Sequence, residues 1–367
     1  MNSVIGPEYV IEVYDPSLNM RGFLVIDSTF LGPGKGGLRM APDVTLKEVF
    51  RLARAMTWKN ALAGLPFGGA KAGIIWPPAF AKASAGKSGM PALKKKFVQS
   101  FAKMIKPFLA SKYISAPDIN TGQKEMKWFV QAAGNRRAAT GKPANLGGLP
   151  HELGGTGLGV AEAAVGAAKF KDLDIKGAKV AIDGFGNVGS FTFKYLSETG
   201  AKIVALADRQ GAIYDKDGLD FNEIKKIKSR RLPVSLCQKG KAISRDLFFS
   251  LPVDILIPAS TTDVINEKNK NKIKAGIIVE GANIPMNEKI EDELFKKGIL
   301  IVPDFVANAG GVISSYAELR GYSPQKMFAM IKRKISKTVN LVLKQSAASG
   351  KNPRLIAMKI AAKRLKY

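Results

Sequence analysis

Three lysines in this 367-residue chain stand in settings that surface lysines seldom share: Lys35 in GPGKGGLRM, Lys59 in MTWKNALAGLP and Lys71 in FGGAKAGI. Glycine or apolar residues flank each one, so each is expected to lie against packed backbone rather than in water. Together with Asp118 of ISAPDINTG they would make a positive pocket holding one carboxylate. Clustered like charges disfavour protonation, so one lysine of such a group could titrate near neutrality and serve as a base. The same cluster would suit a substrate with two carboxylates.

Composition excludes much other chemistry. The chain has one Cys (Cys237) and one His (His151), so it can form no intrachain disulfide and no histidine-rich zinc site. No metal is expected. Cys237 reads as an ordinary core or surface residue, and His151 in PHELGGTG as a structural or solvated one. Against 30 Asp+Glu stand 57 Lys+Arg, a formal net charge of +27. The basic clusters at 94–96, 225–231, 268–274 and 332–337 recur along the chain, mostly at helical spacing, without a nucleic-acid motif. They read as solvated faces, and nucleic acid is not an expected partner. No apolar run reaches the ~18 residues of a membrane span, and the start, MNSVIGPEYVIE, lacks signal-peptide regions. A soluble, cytoplasmic protein is expected.

Positioning these residues requires regular elements. Strands are expected at 9–14, 22–28 and 73–76, with helices at 46–60, 93–110 and 124–133. Thr45 is the expected N-cap of the first helix, in a capping box with Glu48. Residues 77–91 read as a surface loop and 141–150 as a hinge. Beyond it, a helix at 157–170 precedes strands at 179–183, 202–207, 254–258, 277–280 and 300–302 that alternate with helices. This spacing indicates a doubly wound parallel sheet. Helices at 325–347 and 353–366 close the chain.

The turn GFGNVG follows the strand at 179–183 and opens a helix. Gly184, Gly186 and Gly189, with Asn187 and Val188 between them, fit a backbone that approaches a pyrophosphate at a helix N-terminus. Asp208 ends the next strand, 24 positions after Gly184, and would accept from the ribose hydroxyls. A carboxylate there favours NAD, whereas Arg209 beside it could pair with the 2′-phosphate of NADP. NAD or NADP is therefore the expected cofactor, with the balance toward NAD.

Seven segments occur in order: GPGKGGLRM, MTWKNALAGLPFGGAKAGI, APDINTG, GTGLGV, GFGNVG, VEGANIP and PDFVANAGGVISSY. Together they closely resemble the glutamate/leucine/phenylalanine/valine dehydrogenase family from about residue 20 onward. The resemblance implies an α/β protein with an N-terminal α/β substrate domain plus a Rossmann doubly wound dinucleotide-binding domain. It places a substrate-binding and assembly domain at 1–145, the NAD(P)-binding domain at 146–330, and C-terminal helices that return to the first domain at 331–367. It further implies a homo-oligomer that reversibly deaminates an L-amino acid to the 2-oxo acid and ammonium, with hydride transfer to NAD(P).

By motif, Lys71 resembles the catalytic lysine that activates water against an iminium intermediate, and Asp118 the proton-transferring aspartate. Lys59 resembles the residue that pairs with the substrate α-carboxylate. Lys35, helped by Ser315 of NAGGVISS, resembles the reader of a glutamate side-chain carboxylate. Thr156 of GTGLGV and Asn283 of EGAN match cofactor-side positions, and Asn308 of NAGG lies near the nicotinamide. Leucine and phenylalanine enzymes of the family usually carry an apolar residue at the position of Lys35, since a buried unpaired ammonium would be costly opposite an apolar side chain. The resemblance therefore points to L-glutamate and 2-oxoglutarate, with a leucine or branched-chain amino-acid dehydrogenase as the alternative. A non-catalytic polyanion-binding relative is the alternative of another class, suggested only by the charge. Several residues depart from the family pattern: Asp183 stands where Gln is frequent, Leu158 where Arg or Tyr is frequent, and Ile284 where Gly is common. The 34 residues before Lys35 are also fewer than glutamate dehydrogenases usually carry, and more like leucine dehydrogenase.

Overall fold

The computed structural model describes residues 6–77 and 86–366. The chain divides into two compact units. The first comprises Met1–Leu153, Val312–Met327 and Ile360–Tyr367, and the second Gly154–Gly311 with Phe328–Lys359. This partition differs from the three blocks expected from the sequence. Residues 328–359 cluster with the second unit, and the segments that rejoin the first are 312–327 and 360–367. Side-chain bonds account for the difference: Glu318 accepts from the backbone of Gly141 and Leu149 in the first unit, while Arg354 pairs with carboxylates of the second.

The first unit is built on a six-stranded sheet. Its strands are β1 (Tyr9–Asp15), β2 (Met20–Ser28), β3 (Gly34–Lys35), β4 (Leu38–Ala41), β5 (Gly68–Ile75) and β6 (Tyr113–Ile114), in the order β1-β2-β5-β3-β6 with β4 also paired to β5. Side chains alternate along β2. Leu24 and Ile26 join a core with Phe97, Phe101 and Phe129, while Phe23 and Val25 pack on the other face with Val49 and Ala53 of the helix Leu46–Leu62. Because both faces are covered, β2 is a nearly continuous apolar run.

Two glycine-rich segments lie in strands of this sheet. Residues 34–35 form β3, and β5 begins at Gly68 instead of residue 73. The physical reason is close backbone approach: a Cβ on Gly36 would lie 1.6 Å from the carbonyl oxygen of Ala70. Glycine lets β3 lie flush on β5 and so brings their side chains onto one small area of sheet.

The helix Leu46–Leu62 begins at the expected cap, with Thr45 Oγ1 accepting from the Glu48 amide at 3.2 Å. The carboxylate of Glu48 accepts from Arg39. Residues 78–85 of the expected loop lie outside the described residues, while Gly86–Met104 is helical with Pro91 in its second turn. Proline there removes one amide near the helix start, which the helix accommodates. The same helix stops at Met104 rather than 110 because Pro107, in the 3-10 turn Lys106–Phe108, cannot continue it.

The second unit holds a seven-stranded sheet of β7 (Lys179–Asp183), β8 (Lys202–Asp208), β9 (Gly211–Tyr214), β10 (Lys241–Ile243), β11 (Ile255–Pro258), β12 (Ile277–Val279) and β13 (Leu300–Val302). The order is β10-β9-β8-β7-β11-β12-β13. The five strands expected from the sequence pair in parallel. The sheet is nevertheless mixed, since β9 and β10 add antiparallel pairs at one edge. β11, β12 and β13 are as short but are fully buried apolar runs, whereas β9 and β10 are only partly buried and carry no such run in sequence. The expected solvated basic faces are present on helices, with Lys95, Lys225, Lys226, Lys332 and Lys337 all exposed.

A Gly36→Ala substitution should destabilise the first unit by about 3 kcal/mol, because its methyl overlaps the carbonyl of Ala70 and one of the two strands must move. Urea unfolding of the purified variant measures this; a transition like that of the parent would contradict the packing argument.

Candidate active site

The sheet register brings the lysines together. In the pairing of β3 with β5, Lys35 lies opposite Gly69, two residues before Lys71. Residues two apart on a strand share a face, so Lys35 and Lys71 project from the same side of the sheet. That side is the one packed by the helix Leu46–Leu62, because Cβ positions at Gly69 and Gly73 would meet Thr57 and Val49 of that helix. Lys59 lies in the helix's last turn. All three lysines are buried, Lys35 to 1% exposure.

Asp118 follows β6 in a loop held by Thr121, whose hydroxyl accepts from the Asp118 amide and donates to the Leu38 carbonyl, both at 2.8 Å. Its carboxylate forms an ion pair with Lys71 and accepts from Arg39 Nε at 3.4 Å. Burial by itself would raise the Asp118 pKa, but the charges of Lys71 and Arg39 outweigh it and hold the carboxyl at about 2. Asp118 is therefore a carboxylate at neutral pH, with Lys71 as its cation.

Lys35 is arranged differently. Its ammonium donates to the carbonyls of Ser115 at 2.7 Å and Ile114 at 3.3 Å, and forms no ion pair among the described residues. Burial is the main cause that pushes its pKa down to about 7. The charge of Glu318 opposes this, and those of Lys142 and Lys71 add to it. The lysine that titrates near neutrality, expected somewhere in the cluster, is thus Lys35.

Ser315 belongs to the same neighbourhood. Thr140 donates through its hydroxyl to Ser315 Oγ at 3.0 Å and through its amide to the Ser115 carbonyl at 3.0 Å, the carbonyl that also receives Lys35. One turn along the helix Gly310–Leu319, buried Glu318 accepts from the amides of Gly141 at 2.8 Å and Leu149 at 2.7 Å and pairs with Lys142. Sequence reasoning missed Arg39, Thr140, Lys142 and Glu318. The spacing of Glu318 three residues after Ser315 was the available signal, since residues at i and i+3 share a helix face.

The dinucleotide turn is equally specific. The helix Asn187–Glu198 begins directly after Gly186. A Cβ on Gly189 would lie 1.9 Å from the Gly184 carbonyl, so only glycine lets this helix dock on β7, while a Cβ on Gly186 would meet nothing within 4 Å. The open side of Gly186 at a helix N-terminus is a cradle of the shape and polarity that a pyrophosphate needs. Val188 follows in the first turn, half-buried, beside Asn187. Thr156 lies in the first turn of the helix Gly155–Phe170.

Asp208 ends β8 as expected, but its carboxylate is engaged. Oδ1 accepts from the Gln210 amide at 2.8 Å, and Oδ2 from Lys228 at 2.8 Å and the Val234 amide at 3.1 Å. A ribose would have to share this carboxylate with Lys228, so a cation accompanies the acid at this end as well as Arg209. Asp183, next to the glycine turn, is buried against Arg245 at 2.7 Å and the hydroxyl of Ser260. Asn308 donates to the carbonyls of Gly281 and Ala282 at 3.3 Å and to Asn283 Oδ1 at 3.2 Å. Its own Oδ1 is buried and finds no donor among the described residues. An amide group bound there would satisfy it, and the carboxamide of a nicotinamide is such a group. The residues present therefore fit NAD(P).

Among the described residues no group of His, Cys, Asp and Glu is arranged to hold a metal, and no helix is long and apolar enough to cross a membrane. Burial, with Glu223 adding to it, pushes the Cys237 thiol up to about 11, which makes it unreactive. The backbone of His151 opens a 3-10 turn, His151–Leu153; its side chain lies outside the description.

Comparison with known proteins shows the family. The family model "Glutamate/Leucine/Phenylalanine/Valine dehydrogenase" matches residues 147–367, and "Glu/Leu/Phe/Val dehydrogenase, dimerisation domain" matches 7–135. A glutamate dehydrogenase of Aeropyrum pernix is 43% identical over 295 residues, covering 78% of this chain and 69% of that protein. An NADP-specific glutamate dehydrogenase of Saccharolobus shibatae is 43% identical over 295 residues, covering 78% of this chain and 68% of that protein. Among solved structures, the hetero-hexameric glutamate dehydrogenase of Thermus thermophilus in its Leu-bound form superimposes with a TM-score of 0.87 at 27% identity, covering 98% of this chain and 88% of that one. With both halves matched, the chain belongs to the glutamate/leucine/phenylalanine/valine dehydrogenase family.

Proposed function

We propose that this protein catalyses the reversible oxidative deamination of L-glutamate to 2-oxoglutarate and ammonium, with NAD or NADP as the redox partner. The observation that carries the substrate assignment is Lys35. Its buried ammonium spends two N–H groups on carbonyls that already have backbone donors, Gly36 to Ile114 and Thr140 to Ser115. Its third N–H has no acceptor among the described residues. A side-chain carboxylate would pair with this cation, whereas an aliphatic side chain would leave it buried and unpaired. Ser315, tied to the same carbonyl through Thr140, stands ready as a second donor to that carboxylate.

The remaining residues divide the work by charge. Lys59 pairs with the α-carboxylate and so fixes the orientation of Cα. Bound NAD or NADP supplies the acceptor for the hydride lost from Cα. Lys71 activates the water that attacks the resulting iminium carbon of the substrate, and must first release its own proton. Asp118 is the adjacent carboxylate, and the Lys71–Asp118 pair shuttles the proton that the departing amine takes up. The second unit holds the coenzyme through Gly184, Gly186, Asn187, Val188 and Gly189 at the phosphates, Asp208 at the ribose, and Thr156, Asn283 and Asn308 toward the nicotinamide. The match of residues 7–135 to a dimerisation domain supports a homo-oligomer.

Assay of the purified protein with glutamate, leucine and phenylalanine against both coenzymes should give turnover with glutamate alone or in large excess. Turnover that favours leucine would replace the substrate assignment, and no turnover with salt-dependent polyanion binding would replace the enzymatic one. Lys71→Ala and Asp118→Asn should each lower kcat by about 10²–10⁴-fold in steady-state assays. Lys35→Leu should fold, because the carbonyls it leaves retain their backbone donors, and should lower the glutamate-to-leucine ratio of kcat/KM; an unchanged ratio would remove Lys35 from substrate reading.

A pH dependence follows from the lowered Lys35 pKa. Above about 7 the free protein loses this charge, so binding the side-chain carboxylate requires uptake of a proton. The KM for glutamate should therefore rise with pH above 7, by up to about tenfold per unit, and Lys35→Leu should abolish that slope. Initial rates between pH 6 and 9 measure it.

A further inference from the structure

The loop after β12 is clamped from a distance along the chain. Arg354, in the first turn of the helix Pro353–Arg364, is one guanidinium engaged by three carboxylates. Its Nη2 lies 2.7 Å from Glu280 Oε2, its Nη1 3.1 Å from Asp304 Oδ1, and its Nε pairs with Glu291. Glu280 and Glu291 are fully buried and Asp304 nearly so. These acids bracket one short loop. Glu280 enters it from β12, Glu291 lies in the helix Glu288–Lys296 that leaves it, and Asp304 opens the helix Asp304–Ala307 that ends at Asn308.

Within the bracket sits the motif EGANI. The Asp304 amide donates to Glu280 Oε2 at 2.7 Å, and Asp304 Oδ2 accepts from the Ile284 amide at 3.1 Å. Ile284 has φ +49°, in the left-handed region that a β-branched side chain resists, so its conformation must be imposed by its surroundings. Asn308 holds the preceding residues through Gly281, Ala282 and Asn283. The cluster is short of donors even with Arg354 in place, since Glu280 Oε1 and Glu291 Oε1 have no partner among the described residues. Burial is the main cause that pushes both glutamates above the usual carboxylate range, against the pull of Arg354.

We propose that Arg354 is a positioning residue for coenzyme binding: by bonding to three buried acids at once it holds residues 281–284 in a strained backbone conformation that presents Asn283 and Asn308 to the nicotinamide end. Without it, three carboxylates share one buried site with no cation. Their repulsion and desolvation act directly on both ends of the loop. The strain at Ile284 is then opposed by one anchor fewer, because Asp304, which accepts its amide, loses its cation, while the Asp263 amide remains on the Ile284 carbonyl. This inference rests on the coenzyme reading of the second unit given above.

The test measures coenzyme affinity by calorimetry with NADH and NADPH, without amino acid, alongside the KM values for coenzyme and glutamate. Arg354→Met should weaken coenzyme binding by about tenfold or more, with the glutamate KM changed less than twofold. Ile284→Gly in the same chain removes the strain and should recover most of the loss. Ile301→Val, a core change in β13 of the same unit, controls for general destabilisation and should leave coenzyme affinity alone. Arg354→Lys keeps the charge with fewer directed donors and should be intermediate; it carries the test if the methionine variant does not fold. Coenzyme affinity unchanged by the Arg354 substitution, an equal loss in Ile301→Val, or no recovery with Ile284→Gly would overturn the positioning role. A parent protein that binds neither coenzyme would overturn the underlying reading as well.

Discussion

A lysine ammonium taken out of water needs a counter-charge or a set of acceptors, and the substrate end of this protein is organised by that demand. Lys35, Lys59, Lys71 and Lys142 are all buried in the first unit. The structure shows two kinds of solution among three of them. Lys71 has the carboxylate of Asp118, Lys142 has that of Glu318, and Lys35 has only carbonyls. The differences set their chemistry. A lysine paired with an aspartate is a complete ion pair, whereas a lysine on carbonyls is an incomplete one that a ligand's carboxylate can complete. Much of the surrounding sheet serves this arrangement, since glycines at close-contact positions are what allow two buried lysines to project from adjacent strands.

The second unit shows the opposite problem. Here the buried charges are mainly acids, and arginines are placed to pair with them: Arg245 with Asp183 beside the glycine turn, and Arg354 with Glu280, Glu291 and Asp304 around the EGANI loop. Both clusters adjoin segments assigned to the coenzyme. Buried charge networks of this kind contribute little net stability over an apolar core but hold backbone in one arrangement. That is what a loop with a β-branched residue in the left-handed region requires.

The residues that announce chemistry were legible because their types are costly in their contexts. A lysine among glycines, a glycine turn between an apolar strand and a helix, and an acid 24 residues later each imply a narrow set of environments. The elements that were misjudged carry weaker signals. The glycine-rich strand β3 and the start of β5 were not among the expected strands because glycine has no side chain from which to read alternation. The edge strands β9 and β10 are partly exposed and lack the continuous apolar run that marked the equally short β12 and β13. Pro91 looked like a loop marker, yet near a helix start it costs little. Glu318 and Arg354 could not be assigned at all, since their meaning depends on partners some 170 and 50–74 residues away along the chain.

What the sequence determined by itself was the chemical inventory. Lysines and an aspartate with a single His and a single Cys, a dinucleotide turn, and ordered motifs pointed to an NAD(P)-dependent reaction on an anionic substrate, with a branched-chain amino-acid dehydrogenase and a non-catalytic polyanion-binding relative as the alternatives. What only the tertiary structure decided was the charge state and engagement of each group. Asp118 is held ionised by Lys71 and Arg39, Lys35 is the lysine that titrates near neutrality, and Asp208 is already engaged by Lys228. The reason is that a side chain's type fixes its ordinary pKa and bonding capacity, whereas the shift depends on burial and on charges a few ångströms away. Those neighbours are set by strand register and by long-range packing, which no local segment contains.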